Sequence, residues 1–154
     1  IYGAGPAKIG QVVGGDAKKG KDLIDSFLHN TPSLAIFRER VDKASLRGYL
    51  VGLDGRRLMI RTRHAAVNLL IQGAGAVICK QWLININRLC KERKVRASLI
   101  ASIHDEYQHE VLNSHAKLFG ELTKEAMKYT EKDLKVLCPL DSEYKIGNTW
   151  AETH

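Results

Sequence analysis

Residues 97–112, ASLIASIHDEYQHEVL, hold two β-prone runs separated by two polar residues. Ala97–Ile103 and Glu106–Leu112 read as strands, and His104-Asp105 joins them tightly. A hairpin tip of this kind projects a carboxylate into a cleft, where it can hold a divalent cation. Upstream lies a second hairpin signal. Tyr49, Leu50, Val51 and Leu53 precede Asp54-Gly55, and Leu58, Met59 and Ile60 follow. Between the hairpins, His64 to about Lys94 carries no breaker except Gly73 and Gly75, and reads as one long helix. Those glycines cost about 1 kcal/mol each against alanine, so something is expected close to the helix backbone.

Further helices flank this centre. Asp16 is a suitable N-cap for a helix with Leu23, Ile24, Phe27 and Leu28 on a buried face. Asn30-Thr31-Pro32 ends it, and a second helix runs from Ser33 through Leu46. A third runs from about Ser114 to Tyr129, with Leu118, Leu122, Ala126 and Met127 on one side. A short strand is expected near Val136–Leu140. Helices with antiparallel hairpins make an α+β fold, in which helices pack on a small antiparallel sheet.

By length the 154 residues are expected to form one domain, and 44% hydrophobic content argues against wholesale disorder. The longest apolar run, Ala76–Ile86, is broken by Lys80 and Gln81, so no membrane span is expected. Nor is a signal peptide expected, because no charged segment or cleavage site precedes the Tyr2-Gly3-Ala4-Gly5 opening. Three cysteines without a C-x-x-C argue against a disulfide scaffold and for a reducing compartment; Cys79, Cys90 and Cys138 read as small core residues. The net charge is +7. Residues 1–96 hold 18 basic and 7 acidic side chains, and residues 97–154 hold 6 and 10. Every arginine falls in the first part, with Arg56, Arg57, Arg61 and Arg63 close together. Such a surface attracts polyanions, nucleic acid foremost.

Four patterns bear on chemistry. Gly15-Asp16-Ala17-Lys18-Lys19-Gly20-Lys21-Asp22 approaches a phosphate loop, but Asp22 stands where the magnesium-binding hydroxyl belongs; an exposed helix is the better account. His104 and His109 are five apart, on a predicted strand, which puts them on opposite faces and argues against a zinc site from this segment alone. His64, Asn68 and Gln72 fall at i, i+4 and i+8 and form one polar stripe. Amide donors in such a row suit the minor groove, whose base-edge pattern is nearly degenerate; a solvated helix face is the alternative. His104-Asp105-Glu106 can supply one side of a two-metal phosphoryl-transfer site, given a further carboxylate from a separate element.

Taken together, these pieces resemble the C-terminal part of a family A DNA polymerase, closest to the replicative polymerases of short-tailed phages. Tyr2-Gly3-Ala4-Gly5 is similar to the end of the family's fingers helix, and Asp54-Gly55-Arg56-Arg57 to its fingers-to-palm hairpin. HAAVNLLIQGAGAVICK, residues 64–80, resembles its primer–template helix, His104-Asp105-Glu106 its third motif, and LDSEYKIGNTW with His154 its ending. The resemblance implies distal fingers helices over 1–47 and the C-terminal part of the palm over 48–154. It implies that Asp105 ligates catalytic magnesium with Glu106 assisting, as one side of a site for two Mg2+ ions. It places His104 near the primer terminus, His64, Asn68 and Gln72 against the duplex minor groove, and Tyr2 near the templating base. Primer–template DNA and deoxynucleoside triphosphates are the implied partners, in the cytoplasm of a host cell.

The fingers arginine and lysine that grip the triphosphate, the first palm aspartate and the thumb have no counterpart in these residues. The chain is therefore expected to be a segment of a longer polymerase or a subunit of a split one, needing an N-terminal half and inactive alone. A sequence-neutral DNA-binding or assembly module and a metal-dependent nuclease are the alternatives.

Overall fold

In the computed structural model, which describes residues 4–154, Pro6 opens a short helix, α1 (Pro6–Val12), that the sequence patterns do not signal. Asp16 caps α2 (Ala17–Asn30) by accepting from the Lys19 backbone N–H at 2.9 Å. The two helices lie so close that a Cβ on Gly20 would strike the Pro6 carbonyl, and one on Gly10 the Asp16 carbonyl. Gly20 of the phosphate-loop-like run thus serves helix packing, and the stretch before it is helical where a phosphate loop needs a strand. The α2 face expected to be buried is only partly covered, with Leu23 and Phe27 at 43% and 44% exposure.

Pro32 opens α3 (Pro32–Ser45), and a hairpin of β1 (Tyr49–Val51) and β2 (Arg57–Met59) follows. Leu50 pairs with Leu58 in its register. The hairpin loop is Leu53-Asp54-Gly55: the Gly52 N–H bonds the Arg56 carbonyl at 2.9 Å, and the Gly55 N–H bonds Gly52 at 3.0 Å. Gly55, at φ +83°, takes the left-handed position that closes a three-residue loop. A 3-10 turn (Arg63–Ala65) leads into α4 (Ala66–Glu92). Val41, Leu50 and Ala66 form one core, with Phe37, Leu58 and Leu70 against it.

The chain divides into two compact units, one ending at Ala74 and the other running Gly75–His154. The second unit holds the later turns of α4, a hairpin of β3 (Ala97–Ile103) and β4 (Glu106–Val111), α5 (Ala116–Asp133) and α6 (Trp150–Thr153). Its core is Trp82, Ile86, Leu89, Cys90, Val95, Leu122, Ala126 and Met127. Phe119 joins that core, whereas Leu118, expected on the buried side, is 43% exposed. Cys90 is buried as expected, but Cys138 is exposed. Buried Asn85 donates to the Thr130 hydroxyl at 3.1 Å and to the Asp133 carboxylate at 2.9 Å.

One further expectation needs correction. No strand forms at Val136–Leu140; the segment is held by side chains of α5, with Glu131 accepting from the Leu140 N–H at 3.0 Å and Lys128 donating to its carbonyl. The helical stretch Arg63–Glu92 is, by length and composition, apolar enough to cross a bilayer, although no unbroken run signals it. The core helix of a globular unit satisfies the same criterion. Here α4 buries Trp82, Ile86 and Leu89 in the second core and pairs Asn85 with α5.

Candidate active site

Ile103 pairs with Glu106, so His104 and Asp105 alone form the reversal between β3 and β4. The geometry forces His104 to φ +55°, in the left-handed region that non-glycine residues enter at a cost. Asp105 is exposed at the tip. Tyr107 of β4 lies tilted against Trp82 of α4, with ring centroids 5.4 Å apart, and Ile78 and Phe119 also pack against that core. Burial pushes the Cys79 thiol above its ordinary range, with the Asp105 charge adding to the effect.

Glu106 is held differently from its neighbour. Its side chain is 32% exposed and accepts from the Gln108 amide and from His154, whose Nδ1 lies 3.0 Å from Oε2. The Gln108 and His154 hydrogen bonds hold its carboxyl below the usual range against a smaller opposing effect of desolvation. Thr153 donates to Gln108 at 3.2 Å, and Trp150 meets the His154 ring edge-on at 5.8 Å. Sequence patterns do not signal these contacts. Glu106 and Gln108 share a strand face by alternation, but the residues that cover them lie over forty positions away.

His104 and His109 do not form a metal pair: His104 sits in the reversal, and His109 packs at 4.9 Å against Phe119. Among the described residues no group of three or more His, Cys, Asp or Glu side chains could hold a metal ion. Magnesium is commonly held by one or two carboxylates together with substrate phosphates and water, so an exposed Asp105 fits as one side of such a site and not as a complete cage.

The polar stripe lies in the first unit. His64 is exposed in the 3-10 turn rather than in α4, and Asn68 and Gln72 follow on the helix, half-buried and exposed respectively. Arg63 anchors the turn through one guanidinium nitrogen, Nη2, which donates to both Asp42 oxygens at 2.8 Å. Gly73 has a local explanation, because a Cβ there would press on Leu58 at 3.1 Å, whereas Gly75 faces open space. Of the clustered arginines, Arg56 is paired with Asp54 and Arg63 with Asp42. Arg57 and Arg47 instead stack on the Tyr49 ring at 4.8 and 4.9 Å. The expectation for Tyr2 lies outside the described residues.

Residues 1–152 match the family described as DNA polymerase family A. The chain belongs to that family. It is 36% identical to the DNA-directed DNA polymerase of Enterobacteria phage T3 and 35% identical to that of Escherichia phage T7. Each match covers 100% of this chain and 25% of the phage protein, so the chain spans about a quarter of the length of these relatives. The polymerase domain of Pol1 from M. smegmatis, solved in complex with DNA primer-template and dNTP, has the same fold. The match covers 92% of this chain and 26% of that one, with a TM-score of 0.76 and 22% identity.

Proposed function

We propose that this chain is the part of a family A DNA polymerase that supplies the third-motif carboxylates and the primer–template helix. It would work within a longer or split enzyme, with residues 1–47 as distal fingers and 48–154 as the C-terminal palm. The observation that carries this reading is the exposed Asp105 at a two-residue hairpin tip, in a chain matching the family almost end to end.

The reaction joins the primer 3′ oxygen to the α-phosphorus of a deoxynucleoside triphosphate. The bond from that phosphorus to the bridging oxygen breaks, pyrophosphate leaves and the hydroxyl proton is released. Magnesium, two ions in the complete site, would neutralise charge on the phosphates. Asp105 would hold it from this side, with Glu106 beside it. His104 would stand near the primer terminus, and Tyr2 near the templating base. His64, Asn68 and Gln72 would donate to minor-groove acceptors and sense duplex geometry without reading sequence.

The chain alone is expected not to extend a primer. Supplied with the remaining polymerase half, it should do so, and Asp105→Asn should cut single-turnover extension about a hundredfold or more, as loss of transition-state charge stabilisation does. Duplex affinity should stay near wild type. Unaltered extension by Asp105→Asn would reject the assignment. Duplex binding without turnover would favour a non-catalytic module, and magnesium-dependent loss of DNA a nuclease.

A further inference from the structure

Two adjacent carboxylates occupy one hairpin tip, and the second unit treats them differently. Asp105 projects from the reversal and is exposed. Glu106 is met by the Gln108 amide and by His154 at 3.0 Å, and Gln108 is itself held by Thr153 at 3.2 Å. The Thr153 and His154 contacts come from α6 and the residue after it, a segment with its own fixed geometry. The Asn148 N–H donates to Glu152 at 2.7 Å, and a Cβ on Gly147 would collide with the Glu152 side chain. His154 also meets the Trp150 ring. A one-turn helix and the His154 imidazole that follows it therefore converge on one carboxylate and its Gln108 partner.

We propose that His154, with Gln108, is a positioning residue that commits Glu106 as a hydrogen-bond acceptor and leaves Asp105 as the one carboxylate of the hairpin tip free for a cation. This rests on the polymerase reading, in which Asp105 holds magnesium. Glu106 lies next to Asp105 and carries the same charge, so an unrestrained side chain would compete for the ion or chelate it from the same hairpin. A cation chelated by both would be less available to a carboxylate from a separate element. The Gln108 and His154 contacts distinguish two neighbours that sequence chemistry does not.

Manganese, a spin-active substitute for magnesium, tests the assignment without any assay of synthesis, on the chain combined with the remaining polymerase half. Mn2+ affinity is read by water-proton relaxation for wild type, Asp105→Asn, His154→Ala, His154→Asn, and His154→Ala combined with Glu106→Gln. Circular dichroism checks that each variant keeps its helix content. His154→Ala should bind Mn2+ more tightly, by about tenfold, the lower end of the effect of altering groups around a metal ligand. Adding Glu106→Gln should return the affinity to the wild-type value, because the released carboxylate is what gains the ion. His154→Asn, which keeps a donor, should stay near wild type. A merely structural role for His154 would not produce a gain that Glu106→Gln cancels. Equal affinity in wild type and His154→Ala, or a gain that survives Glu106→Gln, would overturn the positioning role while Asp105→Asn still lost binding. Unchanged binding by Asp105→Asn would instead reject Asp105 as the metal ligand, and the positioning role with it.

Discussion

His109 shows how one residue's surroundings set a pH response. It lies on β4 between Tyr107 and Phe119, and its Nε2 has no partner among the described residues. Burial pulls its pKa below the ordinary value of about 6.5, against a smaller contribution from a backbone hydrogen bond at Tyr107. Unfolded, the same imidazole titrates at its ordinary value. The unfolded state therefore binds more protons in the window just below pH 6.5, and stability must rise with pH there. Between pH 7 and 5 the wild type should lose stability faster than His109→Phe, which keeps a ring in place and cannot be protonated. Urea unfolding at a series of pH values reads this directly. Parallel pH profiles for the two proteins would mean that His109 titrates normally in the fold.

The junction between α4 and α5 depends on a few polar contacts inside an apolar core. Asn85 is 2% exposed and donates to both Thr130 and Asp133, while Trp82 donates to the Thr123 carbonyl at 2.8 Å. Asn85→Ala would leave the buried Thr130 hydroxyl with only its bond to the Ala126 carbonyl and would open a small void. A loss of about 1–3 kcal/mol is expected in denaturant unfolding, as for a buried polar group deprived of its partner. A change below about 0.5 kcal/mol, the range of neutral surface substitutions, would show that the pair adds nothing to the packing. Such contacts mark the boundary of what local sequence conveys. The Asp16 cap, the Asp54-Gly55 loop, the long helix and the His104-Asp105 reversal were legible because each depends on residues within a few positions. The strand expected at Val136–Leu140 failed because a β-prone run needs a neighbouring strand, and α5 supplies side chains instead. The α2 face failed because periodicity identifies an apolar stripe and not what covers it. In the candidate site, the placement of Asp105 and Glu106 at the reversal was legible, but the grip of His154 on Glu106 spans 48 positions and has no local signature.

Across the whole molecule, charge follows the two units rather than the division at residue 96. Residues 1–74 carry 12 basic and 6 acidic side chains, a net of +6, and residues 75–154 carry 12 and 11, a net of +1. The excess therefore belongs to the unit that holds the β1–β2 hairpin and the His64–Asn68–Gln72 stripe. Within it the arginines are not equivalent. Arg56 and Arg63 already face carboxylates, whereas Arg57 and Arg47 are stacked on Tyr49, which restricts their motion without neutralising them. If this unit meets duplex DNA as the polymerase reading requires, phosphate contacts should dominate affinity and release counterions. Binding should fall steeply as salt rises and differ little among unrelated duplexes, because minor-groove amides distinguish base pairs poorly. Arg57→Ala should lower the slope of log affinity against log salt by about one and weaken all duplexes alike, as loss of one phosphate contact does. Fluorescence anisotropy across a salt series on several unrelated duplexes measures both quantities. A flat salt response, or a loss confined to one sequence, would exclude Arg57 as a phosphate contact and leave the Tyr49 stack as a support for the hairpin alone.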